Sequence, residues 1–499
     1  MAFPLKQLKW LVHEFGLGSL HSTGRDAYLI ILSRCTRMLA YGTNSLILAL
    51  FFSALDFSDE YIGLFMTLTL LGDVLLSLGL TLVADRVGRR RVLFGGSLLM
   101  VLSGATFALF ENFWILLGAA VVGVISATGG DFGPFRAIEE STLSHLTTPQ
   151  TRADVLAWYV TTASLGSAIG TELSGRMVDS LQARDGWTIV DAYHAVFWVY
   201  AAMGTLNMVL ALLLSSKCDG VGNQASGKGG NEESEILLDE MDESTNDGGV
   251  SEPPPPAPAP PPPEEKRGRF AQISKETRAV MYKLWFLLSV DSLADGMVGY
   301  SLTVYYMDQK FVLPKSTLGD ITSVSYVLSS ISTIFAAPLA RHLGLINTMV
   351  FTHIPSSAAV LCFPFPSSIF LTVALFFLRT GLNNMDQAPR SAFIAAVVKK
   401  EERTAVMGIT SMLRTLASTA GPFVTGLLAG NERFWIAFVA AGSQRLCYDL
   451  GLWGMFVNMR LHQHEEKNGA PGDGSETHRA REGDEEDLRD LPRQVGNAK

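Results

Sequence analysis

Charge is what this chain has least of for its length. Asp, Glu, Lys and Arg make up 17% of its 499 residues, against 48% apolar. A soluble globular chain carries about 25% charged residues, so a water-facing surface of ordinary composition is excluded, and the mean hydropathy is positive. Cysteine is also sparse. Cys35, Cys218, Cys362 and Cys447 stand far apart without a C-x-x-C, which gives neither a disulfide framework nor metal-ligand spacing. They are expected as free thiols packed like small hydrophobes. A Gly-rich phosphate loop, a metal-spaced His pair and a nucleophile elbow are all missing, so the sequence carries no enzyme signature and calls for no metal or cofactor. The net charge of -9 comes mostly from two polar segments and does not indicate an acidic-ligand or nucleic-acid partner. Residues 1–27 hold Lys6, Lys9 and Arg25 among Leu5, Leu8, Trp10, Leu11 and Phe15. Without an unbroken apolar core or a small-residue cleavage site this is not a signal peptide, and an amphipathic helix on the inner leaflet is expected.

What the chain does have is long apolar runs. Twelve are read as spans: Tyr28–Phe52, Tyr61–Ala84, Val92–Phe110, Phe113–Phe135, Val155–Val178, Ala192–Leu214, Leu284–Tyr306, Leu318–Ala340, Ile346–Phe363, Ser368–Arg390, Thr404–Ala429 and Phe434–Val457. A hydrocarbon core of about 30 Å needs helices of this length, and the runs lack the alternation of barrel strands. The expected fold is therefore all-α, a polytopic membrane protein with a bundle at 28–215 and another at 284–458. Between them, 216–283 is Gly- and Ser-rich, then acidic, then polyproline, and is expected as a disordered cytoplasmic linker; the polar tail at 459–499 is expected to be disordered as well. With the N-terminus inside, the inner loops carry Arg86, Arg89, Arg90, Arg91, Arg152, Arg341, Lys399, Lys400 and Arg403. The outer loops carry only Arg184, Lys310, Lys315 and Arg433. This asymmetry puts both ends in the cytoplasm.

The halves repeat. Gly130–Ala137 (G-D-F-G-P-F-R-A) matches Met385–Ala392 (M-D-Q-A-P-R-S-A), Asp over Asp and Pro over Pro. Gly170 and Gly175 follow Arg152 at the spacings by which Gly421 and Gly426 follow Arg403. Ala84–Gly88 (A-D-R-V-G) lies over Ala340–Gly344 (A-R-H-L-G). Small residues every four places in the fifth and eleventh spans let helices approach closely.

The loop Thr81–Leu93, T-L-V-A-D-R-V-G-R-R-R-V-L, resembles motif A of the major facilitator superfamily of secondary transporters. Thr81 stands where the family has Gly. The linker and polyproline suggest a eukaryotic, fungal-like member. The resemblance implies two six-helix repeats that move a small molecule by alternating access. It also implies a gate at Asp85, Arg86, Gly88, Arg89 and Arg90, with Asp85 near the start of the eleventh helix and Arg136 or Arg152 as its partner. The fifth-span glycines are similar to the antiporter pattern of the family but lack its Pro, so efflux is favoured only weakly. A facilitator without ion coupling, and a nutrient sensor or scaffold whose Pro-rich linker docks a protein partner, remain as alternatives.

Ionisable residues within spans are the candidates for function. Asp291 and Asp295 share a face of the seventh span, where one of two repelling acids would keep a proton near neutral pH. Arg34 and Arg37 in the first span are read either as snorkelling cations or as partners of those acids. Asp131, Arg136, Arg379, Asn383, Asn384, Asp386, Gln387 and Arg390 cluster in the fourth and tenth spans. There Asp131 and Asp386 are gate or proton residues, or buried partners of Arg, and Pro134 and Pro389 would bend both helices at equal depth. Glu139 and Glu140 are read as edge residues. Glu172 and Arg445 are further cavity candidates. Glu233 with Leu237 and Leu238 resembles a dileucine sorting signal, so the membrane is expected to be the plasma membrane or a vacuolar or endosomal one. Protease protection of a tag placed near Pro256 in intact cells checks the topology: the tag should resist protease added outside, and cleavage from outside would contradict it.

Overall fold

The computed structural model describes residues 17–123, 134–219, 275–398, 402–430 and 433–456, and they are helical almost throughout. The first half comprises α1 (Leu17–Thr23), α2 (Arg25–Ala54), α3 (Asp59–Val87), α4 (Arg89–Leu109), α5 (Phe113–Gly123), α6 (Pro134–Leu146), α7 (Pro149–Gln182) and α8 (Ile189–Leu213). The second comprises α9 (Lys275–Met297), α10 (Tyr300–Phe311), α11 (Lys315–Leu343), α12 (Leu345–Cys362), α13 (Ile369–Asn383), α14 (Gln387–Val397), α15 (Arg403–Ala429) and α16 (Phe434–Phe456). The linker at 216–283 lies outside the described residues except at its two ends, and the tail lies wholly outside them.

Two spans differ from their expected form. The seventh breaks at Val298 and Gly299 into α9 and α10, and the tenth breaks at Asn384–Asp386 into α13 and α14. Pro389 stands in the first turn of α14 and so starts a helix rather than bending one, while the residues before Pro134 lie outside the described residues. Proline lacks the N–H that a helix interior needs and is tolerated in the first turn. By length and hydropathy alone only three described helices are apolar enough to cross a membrane: Arg89–Leu109, Ile189–Leu213 and Leu345–Cys362. The others are interrupted or carry buried polar and charged side chains that face other helices, as inward-facing residues of a membrane bundle do. Across the helices many exposed residues are large and apolar, among them Leu98, Leu102, Trp198, Phe286, Phe335 and Trp453.

The repeat is written into the backbone. Gly88 separates α3 from α4 with φ +99°, and its counterpart Gly344 separates α11 from α12 with φ +84°. Only glycine takes this left-handed region at no steric cost. Within the first half, α2 lies against α7 so closely that a Cβ on Gly170 would meet Leu39 O at 2.0 Å. Within the second, a Cβ on Gly421 would meet the Gly296 carbonyl carbon at 2.3 Å.

Glycine pairs also join the halves. A Cβ on Gly63 of α3 would lie 2.8 Å from Gly426 Cα of α15, and one on Gly175 of α7 would lie 3.2 Å from Gly319 Cα of α11. The offset of 256 residues that carries Ala84 onto Ala340 also carries Gly63 onto Gly319. The two seams are therefore copies of each other under the repeat. Both lie toward the end of the bundle where α2 turns into α3, away from the linker. Polar contacts reinforce that end. Asp179 of α7 accepts from the Lys315 and Ser316 amides at 3.0 and 2.7 Å, so an anion sits on the positive N-terminus of α11. Tyr305 donates to Asp59 at 2.5 Å, Ser301 to Ser45 O at 2.8 Å, and the Phe423 amide to Thr67 at 3.0 Å.

Gly426→Leu should wedge this end apart, because the atoms it meets are backbone. A disulfide between Glu60→Cys and Gly430→Cys, placed where a Gly430 Cβ would lie 2.9 Å from Glu60 Cγ, should form readily in a background lacking the four native cysteines. It should form poorly once Gly426→Leu is added, and equal cross-linking in both backgrounds would contradict the seam.

Candidate functional site: two buried charge networks

Each half buries its own charge network. In the first half, Arg37 of α2 reaches Glu139 of α6 through both guanidinium nitrogens, at 2.9 and 2.5 Å, and both side chains are buried. Tyr159 of α7 donates to the same carboxylate at 2.8 Å. The Arg37 guanidinium lies 4.7 Å from the Phe135 ring centroid and that of Arg34 lies 4.5 Å from Tyr159. A bidentate pair with a third donor is the geometry in which a buried ion pair repays its desolvation. Glu139 is thus a core residue of the bundle rather than an edge residue, and the partner given to Arg37 is on its own half. Neither Arg37 nor Arg34 snorkels to a surface. A second polar group lies higher in the same half. Asn44 is fully buried, as is the Thr69 hydroxyl, and Asp73 is nearly so; Asn44, the Thr69 hydroxyl and Asp73 Oδ1 have no hydrogen-bond partner among the described residues.

The second half holds the larger network, centred on Arg445 of α16. Its Nη1 donates to Asp295 of α9 at 2.8 Å. Its Nη2 donates to His353 Nε2 of α12 at 2.6 Å and to Asn383 Oδ1 at the end of α13. On the other side of the imidazole, Nδ1 lies 2.7 Å from Asp449 Oδ1, and Ser357 donates to Asp449 Oδ2 at 2.9 Å. Asp291, one turn before Asp295, is fully buried. Neither of its oxygens has a hydrogen-bond donor among the described residues, while His353 Nε2 lies at 3.6 Å and Arg390 Nη2 at 3.7 Å. Arg390 also pairs with Asp386 one turn earlier, and Arg414 of α15 donates to Ser292 at 3.1 Å. Asp295 is the outlet of the network: its side chain is 34% exposed, whereas that of Arg445 is 0% exposed.

Arg379 has a different task. Its guanidinium donates to Val298 O and, at 3.0 Å, to Thr303 Oγ1. It thereby satisfies a carbonyl freed by the break between α9 and α10. Irregular backbone at membrane depth survives only with such partners.

The structure thus brings together Asp291, Asp295, Asn383 and Asp386 with four residues of the second half that the span reading left aside or weighted lightly: His353, Arg414, Arg445 and Asp449. It does not bring Arg34 or Arg37 to Asp291 or Asp295; the nearest cations to these acids belong to their own half. Asn384 donates to Ser329 at 2.5 Å and accepts from Gln387 at 3.0 Å. At the loop of Gly88, Arg89 meets His145 at 3.3 Å, and Arg90 is half-buried. Arg136 pairs with Glu140 at 2.7 Å, exposed to solvent, and Arg152 donates to Ser144 O at 3.3 Å. The side chains of Asp85 and Arg86, and all of Asp131, lie outside the described residues. Glu172 pairs with Arg176, which also reaches Asp320 at 3.0 Å, placing it at the seam between the halves.

Two six-helix repeats with glycine-packed seams and ionisable residues facing inward define a secondary-transporter fold. The chain belongs to the Major Facilitator Superfamily, whose model matches residues 30–266 and 284–474. It is 34% identical over 439 residues to an uncharacterized membrane protein of Saccharomyces cerevisiae, covering 87% of this chain and 95% of that one. Among solved structures it is similar to the nucleoside transporter NupG, with a TM-score of 0.64 at 12% identity over 87% of this chain and 100% of that chain. It is also similar to the inward open form of the xylose transporter XylE from E. coli, with a TM-score of 0.60 at 12% identity over 86% of this chain and 95% of that chain.

Removing one partner of the buried pair in the first half leaves an uncompensated charge. Arg37→Gln should therefore destabilise by about 3–5 kcal/mol, read as a lower melting temperature of the purified protein. Adding Glu139→Gln should recover most of the loss; a double variant no more stable than the single one would contradict the pairing.

Proposed function

We propose that this protein is a proton-coupled secondary transporter of a small molecule, working by alternating access, with coupling carried by the charge network of the second half. The observation that supports this most is the position of Asp295: one oxygen on the buried Arg445, the side chain one-third exposed. A proton or a substrate group arriving at Asp295 competes with Arg445, and any change there is felt by His353 and Asn383 on two other helices. Coupling requires an ion that binds the two conformations with different affinity, and a shared guanidinium supplies that link.

With both ends in the cytoplasm, the glycine seams lie on the outer side. The second network, Arg37–Glu139–Tyr159, holds the first half as a body of its own, so the halves can rock about the seams without breaking a buried pair. Motif A then lies on the cytoplasmic side, where Asp85 steadies the outward-open state.

Uptake into liposomes by the purified protein, screened over a substrate panel with and without a pH gradient, tests the proposal. Asp295→Asn should abolish pH-driven accumulation and preserve exchange between equal pools. Were Asp295 a structural partner only, the variant would lose both modes, with Arg445→Gln restoring them. Undiminished pH-driven accumulation in Asp295→Asn would refute the assignment.

A further inference from the structure

His353 was not marked by the sequence, yet it is the residue at which the second-half network is chemically unfinished. Arginine has five N–H donors and no acceptor. A hydrogen bond between Arg445 Nη2 and His353 Nε2 at 2.6 Å therefore requires Nε2 to be the acceptor. The ring proton is then on Nδ1, which faces the Asp449 carboxylate at 2.7 Å. In this pairing the imidazole is the Nδ1–H tautomer, oriented by Asp449. Beside it, Asp291 is wholly buried without a hydrogen-bond donor, 3.6 Å from that same Nε2. One lone pair thus stands between two claimants. Arg445 occupies it now. A proton in its place would turn Nε2 into a donor aimed at Asp291.

We propose that His353 Nε2 is a proton-binding site of this transporter, and that its protonation exchanges the Arg445 contact for one to Asp291. The step needs no other reactant. A proton adds to the Nε2 lone pair, Arg445 withdraws its N–H, and the imidazolium donates through Nε2 to Asp291 and through Nδ1 to Asp449. Arg445, repelled by the new cation, keeps Asp295 and Asn383 as partners and shifts toward the exposed carboxylate. Two alternative pairings of one buried group make a two-state element, and this one ends at Asp295, where the network meets solvent.

The surroundings of His353 are consistent with this exchange. From α16 it faces Arg445, Asp449 and the Tyr448 ring, whose centroid is 5.6 Å away edge-on. From α9 it faces Asp291, with Asp295 one turn on. From α14, Arg390 stands across Asp291 at 3.7 Å and is held by Asp386. Arg414 of α15 acts on Asp291 at longer range. From α13, the Arg379 carbonyl accepts from Ser356 at 3.1 Å. On α11, His342 is exposed near the helix end. The four acids, Asp291, Asp295, Asp386 and Asp449, equal the four arginines, Arg379, Arg390, Arg414 and Arg445, in number, so the imidazole's proton decides the sign of the whole cluster.

The inference deepens the coupling reading above, and its test is independent of transport. The full chain is prepared with His353 as its sole histidine, the other eight being replaced. It is labelled with 13C,15N-histidine, placed in lipid nanodiscs and examined by infrared difference spectroscopy and 15N NMR between about pH 8.5 and about pH 5, a range that spans imidazole titration in general. At the alkaline end the ring should be the Nδ1–H tautomer. At the acidic end it should be imidazolium, with a simultaneous change in the carboxylate bands that Asp291→Asn removes. A titrating His353 supports the inference even in a preparation that transports no panel substrate. A ring that stays neutral across the range, an Nε2–H tautomer at alkaline pH, or a proton that appears only as a carboxylic acid band lost in Asp291→Asn would overturn it.

Discussion

The contact on which the second half depends is the one between Arg445 and its three partners. A guanidinium at membrane depth without compensation is among the more expensive groups a bundle can bury. Here the two terminal nitrogens are shared among a carboxylate on α9, an imidazole on α12 and an amide on α13. Those three elements and α16 are therefore tied at one point, close to where α9 ends. Arg379 ties the adjacent break by holding Val298 O and Thr303. The break in the seventh span is thus a supported feature, and Asp295 sits two residues before the end of α9, where its backbone is least constrained by helix on both sides.

The first half answers with a simpler device. Arg37, Glu139 and Tyr159 form a closed set with strong donors and one acceptor group. Neither network reaches across to the other half. What crosses is glycine backbone on glycine backbone at two repeat-related seams, apolar side chains packed between the halves, a helix N-terminus capped by Asp179, the exposed Arg176–Asp320 pair and a few hydroxyl contacts. Buried ion pairs kept within each half suit rocking motion, because a buried ion pair split between moving bodies would be broken in every cycle at a cost of several kcal/mol.

Much of this was legible in the sequence. The apolar runs gave the helices, and the repeat offset gave the pairing of Gly88 with Gly344, where both backbones need positive φ. The alignment of Gly170 with Gly421 and Gly175 with Gly426 anticipated glycines that pack alike in both halves. The partners of the charges were not legible. Arg34 and Arg37 were set against the acids of the seventh span, whereas the partner of Arg37, Glu139, stood in a stretch too polar to look like a span interior. His353, Asp449 and Asp73 escaped notice although each is an ionisable or carboxylate residue within an apolar run. The rule that singled out Asp291 applies equally to them. The breaks in the seventh and tenth spans leave no mark in hydropathy, since an unwound turn keeps the same residues. They show only as Gly299 and as the polar Asn383–Asp386.

The central claim is that proton binding within the second half biases the disposition of the two halves. By linkage, a proton that prefers one pairing of the network must shift the population of conformations. The most direct measurement is the distance distribution between spin labels on Val87→Cys and Leu343→Cys, exposed positions at the linker ends of α3 and α11, in nanodiscs as pH is varied. The account predicts two populations whose ratio changes with pH. A single distribution that stays the same at every pH would contradict it.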